Sequence, residues 1–272
     1  MMLFITIFLL SFALYCLGGV FYYEQKSLIT DVYSHVAFPG VVLAYVLFNS
    51  LDLYLVLFVT TTFVLLIDLI KNKLLRITKF TTDSIFAFFI AFGFSLGTLL
   101  INILQNHGVS TKAGFSDFLF GNISALSSND SVLIISISSF ILCLLYLYRR
   151  VIKNYLFDQI LFSQLGFNVY FTQRILSVCT VVLCVLSLKV AGVVLTTGLF
   201  LIPFATANLF YNEIKHLFVF ALLLISLVTL ASIFISLNFS GLSTGPILIV
   251  LYFVVYLLSE LFKFLRFKNI YG

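Results

Sequence analysis

Residues 27–48 read SLITDVYSHVAFPGVVLAYVLF. At ~1.5 Å per helical residue this run is long enough to cross a ~30 Å hydrocarbon core, although Asp31, His35 and Pro39 lie inside it. Working outward, runs of similar length and apolarity occupy 3–23, 54–70, 84–104, 132–148, 170–188, 190–210, 217–237 and 246–262. They are continuous and too long for the ~10-residue alternating strands of a membrane barrel, so helices must satisfy their backbone polar groups. The expected fold is therefore all-α: a polytopic integral membrane protein of about nine transmembrane helices, in one domain covering 1–272. Composition agrees, with 62% hydrophobic residues, 9% charged residues and a mean hydropathy of +1.20 over 272 residues. A soluble domain carries about 25% charged residues. A soluble globule, a disordered tail, a collagen, a nucleic-acid binder and a disulfide-stapled secreted domain are all excluded. Cys16, Cys143, Cys179 and Cys184 sit in apolar runs without CxxC spacing and read as small buried hydrophobes.

The net charge of +5 is used first in topology. With nine crossings and Met1 outside, thirteen of the fifteen Lys and Arg residues face the cytoplasm and only Lys112 and Lys189 lie outside, as the positive-inside rule expects. The C-terminus is then inside. Residues 1–19 have the length of a signal peptide, but they lack a basic n-region and precede further spans, so they read as the first span. The hairpin around Lys189 is the least defined: a single or re-entrant crossing there gives eight spans, while charge favours nine.

Two connections are long. The outer one, 105–131, contains an apolar stretch at 115–123 that reads as a surface or re-entrant helix. In the inner one, 149–174, Asp158 can cap a short helix whose Ile160, Leu161 and Leu165 share a face and which Gly166 ends. Such an element either docks a partner or lies in the lipid interface. Pro39 and Pro203 fall within spans, where a missing N–H frees a carbonyl and allows a kink, whereas Pro246 opens the last span at a tolerated position.

Asp31 and His35 are the chemically sharpest pair. Four residues apart on a helix, they share a face about 6 Å apart, and His35 lies ~13 Å from Lys26 along the axis. An ionised Asp within a span costs about 3 kcal/mol, so it needs water, a counter-charge or a metal. The alternative has Asp31 paired to a basic residue at the cytoplasmic edge and His35 bonded to a neighbouring helix. As a metal site, one nitrogen with one or two oxygens suits zinc, manganese or iron(II), and copper(I) would favour sulfur. Two residues leave the shell incomplete, which fits an ion that must be released. Pro39 and Gly40, one turn on, can open the helix beside it.

His107 and His216 read as solvated loop residues. Asp68, Asp83 and Glu260 lie near span ends, where snorkelling or capping accounts for them, Asp83 as a cap after Thr81 and Thr82. There is no GxxxxGK[ST], HExxH or GxSxG, so the chain is not expected to be an enzyme, and ATP-derived energy would come from a partner. A stand-alone carrier driven by protons or sodium, with Asp31 and His35 as its proton relay, is the alternative.

Asp31-Val-Tyr-Ser-His35-Val-Ala-Phe-Pro39-Gly40 resembles the second-span signature of the zinc, manganese and iron ABC transporter permeases. Three further segments resemble that family in order: Asp117-Phe-Leu-Phe-Gly121-Asn122, the run from Val190 through Gly192, Gly198 and Pro203 to Asn208, and Thr244-Gly245-Pro246. The resemblance covers nearly the whole chain. It implies a bacterial inner-membrane homodimer, a cytoplasmic ABC ATPase docked on 149–174 through Asp158, Ile160, Leu161, Leu165 and Gly166, and an extracytoplasmic metal-binding protein. It also implies that Asp31 and His35 line the path of a divalent metal ion, which is substrate and not a bound cofactor. His-Val-Ala-Phe-Pro-Gly is slightly closer to manganese and iron members than to zinc members. Gln164 stands where the family has a small residue, and Gly241 where an acidic residue often precedes Thr-Gly-Pro.

Overall fold

The computed structural model describes residues 2–106, 112–122, 126–193, 196–211, 213–238 and 244–271. Among them are twelve helices and no strand: α1 Met2–Tyr23, α2 Ile29–Phe48, α3 Leu53–Ile77, α4 Thr82–Asn106, α5 Lys112–Phe120, α6 Ser128–Leu147, α7 Arg149–Phe157, α8 Gln159–Gln164, α9 Val169–Ala191, α10 Thr196–Asn208, α11 Ile214–Asn238 and α12 Thr244–Tyr271. Eight of these, α1 to α4, α6, α9, α11 and α12, are long and apolar enough to cross a membrane. The most buried are α1, α2 and α9, which form the centre of the bundle, and α12 is the most exposed. An exposed apolar surface is the ordinary lipid-facing exterior of such a fold, since lipid is as apolar as Leu.

The sequence reading of a span over 190–210 meets a shorter element. Gly192 ends α9 with φ +82°, and α10 has only 13 residues, about 20 Å of helix. This is the eight-span arrangement left open above. α3 is longer than expected because it does not stop at Lys71: that amine and Asp68 are neutralised inside the bundle, so the charges do not force the helix to end. The cap of α4 is Thr81, whose Oγ1 accepts from the Ser84 N–H, and Asp83 lies in the first turn.

α2 packs chiefly on α3 and α4, and both contacts rest on glycine. A Cβ on Gly93 would lie 2.7 Å from the carbonyl carbon and oxygen of His35, and one on Gly97 would enter the Phe38 ring. Gly93 and Gly97 form a GxxxG motif, the pattern that lets membrane helices approach through their backbones. Pro39 deprives the His35 carbonyl of its usual donor four residues on, and that carbonyl lies against Gly93 of α4. The helix nevertheless continues unbroken from Ile29 to Phe48. Gly40 faces Thr60 of α3, where a Cβ would come within 3.1 Å of the Thr60 Cα. Its visible role is close packing. Gly93→Ala is expected to destabilise the protein by about 1–3 kcal/mol, because backbone and not a flexible side chain must move; thermal unfolding in detergent measures this.

At the end of the bundle opposite Lys26, α5 is stapled to the α9–α10 junction. The Asn122 N–H donates to the Lys189 carbonyl and the Val193 N–H to those of Phe118 and Leu119. Gly121, with φ +73°, and Gly192 lie back to back with no room for a Cβ on either. Phe115 and Phe118 are buried, so the apolar stretch of the 105–131 connection forms a docked helix. The Lys189 amine meets the Asp130 carboxylate at 2.7 Å, and Ser127 with Asp130 forms the capping box of α6.

Candidate metal pathway

Asp31 occupies the first turn of α2, where unpaired N–H groups favour negative charge by roughly 0.3–1 kcal/mol. One turn further, His35 shares its face, and both side chains are half-buried. The His35 Nδ1 is buried without a hydrogen-bond partner, and the ring stands edge-on to Phe94 of α4, centroids 6.0 Å apart. A buried ring nitrogen left unpaired is costly, and it marks a place where a cation or a proton has an energetic claim. Among the described residues no third His, Cys, Asp or Glu completes a metal-binding group with this pair.

Asp68 is where the sequence reading needs correction. It neither snorkels nor caps: its side chain is wholly buried. Oδ1 accepts from the Tyr33 hydroxyl of α2 at 2.7 Å and pairs with the Lys71 amine at 2.6 Å. Oδ2 accepts from the Asn72 amide at 2.9 Å and from Arg174 of α9 at 3.2 Å. Lys71 is itself 2% exposed and also donates to the Tyr33 hydroxyl. One carboxylate thus ties α2, α3 and α9 together. Tyr33 lies two residues from both Asp31 and His35, nearly opposite them on the helix, so the clamp sets the rotation that aims the pair.

The 149–174 segment folds locally as expected. Asp158 Oδ1 accepts from the Ile160 and Leu161 N–H groups at 2.7 and 3.1 Å, capping α8, and Gly166 takes φ +84° after it. Ile160, Leu161 and Leu165 are exposed, while Phe162 turns inward between Tyr155 and Phe167. Phe162 is the anchor that the sequence reading missed. Tyr155, from α7, is fully buried, and burial with the Glu24 carboxylate beside it pushes its phenol well above the ordinary range. Glu24 in turn pairs with Lys26 at 2.8 Å, so this segment meets the turn that leads into α2. His216 is exposed and pairs with Glu213, as a solvated residue would; His107 and Gly241 lie outside the described residues.

The profile of the ABC 3 transport family matches residues 2–263, nearly the whole chain. The chain belongs to the ABC 3 transport family. Relatives within reach include the manganese transport system membrane protein of Bacillus subtilis, 27% identical over 243 residues, which cover 89% of this chain and 56% of that protein. The chain thus spans little more than half the length of that relative. The high-affinity zinc uptake system membrane protein of Buchnera aphidicola is 28% identical over 255 residues, 94% of each chain. Among solved structures, PsaBC from Streptococcus pneumoniae in complex with Fab has the same fold, with a TM-score of 0.81 at 23% identity, covering 94% of this chain and 89% of that one. The ABC 3 family assignment agrees with the eight long helices and with the family-like segments at α2, α5 and the α9–α10 junction.

Proposed function

We propose that this chain is the membrane-spanning permease subunit of an ATP-driven importer of a divalent transition metal: manganese, zinc or iron. The observation that carries this is the Asp31–His35 pair, held on a central helix of an ABC 3 family bundle with a ring nitrogen buried and unpaired. The ion is substrate: the carboxylate and imidazole hold it, and the missing ligands come from water, another helix or a second copy of the chain. Relatives named for manganese and zinc transport support the class of cargo. Alternating access needs weaker binding in the inward-facing state, which protonation of His35 or loss of one ligand supplies.

The partners follow from the same reading. The exposed Ile160, Leu161 and Leu165 beside the Asp158 cap offer a cytoplasmic ATPase an apolar contact, and the chain itself is not an enzyme. The homodimer and the extracytoplasmic metal-binding protein complete the importer. The chain is a multi-pass protein of a bacterial inner membrane; the distribution of Lys and Arg favours an N-terminus outside and a C-terminus inside, which requires the connection between α9 and α11 to complete a ninth crossing. Uptake of zinc, manganese and iron, each in turn, by cells carrying this chain with its ATPase tests the proposal. Accumulation of at least one, lost when either subunit is omitted, is expected. Uptake that persists without the ATPase and collapses with the proton gradient would overturn it.

A further inference from the structure

Between the last turn of α3 and the first turns of α9 lies a cleft of about 190 Å³, lined by Asn72, Arg76, Tyr170, Gln173, Arg174 and Ser177. Its charge is unbalanced. Asp68 already serves both Lys71 and Arg174, and among the described residues Arg76 joins no ion pair. Among the described residues, the cleft wall thus carries two guanidinium groups and no carboxylate of its own. The two guanidinium groups flank one ring: Arg76 lies 4.7 Å and Arg174 5.4 Å from the Tyr170 centroid, and Arg174 also donates to the Tyr170 hydroxyl at 2.9 Å. Contact with the ring holds both guanidinium groups at the cleft wall, and a guanidinium with five N–H donors has donors to spare for an anion.

We infer that this cleft binds the phosphodiester of an acidic phospholipid headgroup. Its position favours a lipid: a Tyr and an Arg at helix ends mark the membrane–water boundary, and Ile77 and Phe171 stand exposed beside the cleft to meet acyl chains. Free phosphate shares the chemistry. The cleft meets the metal pathway through Asn72 and Arg174, which also bond Asp68, so Arg76, outside that clamp, is the residue that tests the lipid site.

The test is the thermal unfolding midpoint of the full chain in detergent, titrated with phosphatidylglycerol, phosphatidylcholine or inorganic phosphate. Phosphatidylglycerol is expected to raise the midpoint and phosphatidylcholine to leave it unchanged. Arg76→Gln, at an exposed position, should weaken the apparent phosphatidylglycerol affinity by about 5- to 10-fold, whereas Lys73→Gln, on the same helix but outside the cleft, should change it by less than about two-fold. A shift reproduced by millimolar inorganic phosphate keeps the anion site and makes free phosphate its ligand. Equal shifts with both lipids, equal effects of the two substitutions, or a shift that appears only when the ATPase subunit is added would overturn the inference.

Discussion

Asp31→Ala and His35→Ala are each expected to lower the initial rate of metal uptake by about 100-fold or more, while the protein still reaches the membrane at normal abundance. The magnitude has a floor: partners one shell removed from a metal are worth about 10- to 100-fold, and a residue that touches the ion is worth at least that. Abundance should hold because most of the packing of α2 rests on other groups. That helix rests on Gly93, Gly97 and Thr60 through its backbone, Phe38 and Gly40, and on Asp68 through Tyr33. Removing the imidazole loses its edge contact with Phe94 but also removes an unpaired buried nitrogen, and the two effects oppose each other. Elemental analysis of washed cells gives the uptake, and immunoblotting of membranes gives the abundance. Normal uptake in both variants would remove these residues from the path. His35→Gln refines the result, since an amide retains a neutral oxygen ligand but cannot take up a proton near neutral pH.

Much of this architecture is legible in the sequence because hydrocarbon imposes a single rule on it, that backbone polar groups be satisfied within each crossing. α1, α2, α9 and α11 therefore fall close to the apolar runs, and the Asp158 and Gly166 signals bound α8 because caps are local chemistry. Three features were not legible. The α10 segment is as apolar as a true crossing, and its shortening depends on Gly192 packing against Leu119 and Gly121, a contact between segments some seventy residues apart. The second feature is Asp68, since a carboxylate near a span end looks the same whether it turns to water or inward. Its partner Arg174 lies 106 positions away. The third, the GxxxG pair at Gly93 and Gly97, was present in the sequence, but only the structure shows that α2 is what it receives.

Asp68→Asn should be the most damaging near-isosteric substitution in the protein, at about 3–5 kcal/mol of stability, because it leaves the Lys71 ammonium buried without a counter-charge. That is a large share of the 5–15 kcal/mol typical of a folded domain, so low abundance and a much lower unfolding midpoint are expected. Shape is not the issue: an amide still fits the site and can still accept from Tyr33. The loss is electrostatic. Arg174, 26% exposed, can swing toward water, but Lys71, 2% exposed, cannot. The double variant Asp68→Leu with Lys71→Met removes both buried charges together, and replacing a buried ion pair by apolar residues of similar volume is often neutral. It should recover part of the stability lost in Asp68→Asn, less what the buried Tyr33 hydroxyl costs once both of its partners are gone. The comparison separates two roles for the pair, because the double variant restores the packing of α3 but no longer ties it through Tyr33 to α2. If the clamp aims Asp31 and His35, the double variant will be stable and well inserted yet slow in uptake. A double variant with full uptake would confine the ion pair to stability, and a single variant that unfolds like the parent would show that Lys71 is not held as a buried charge.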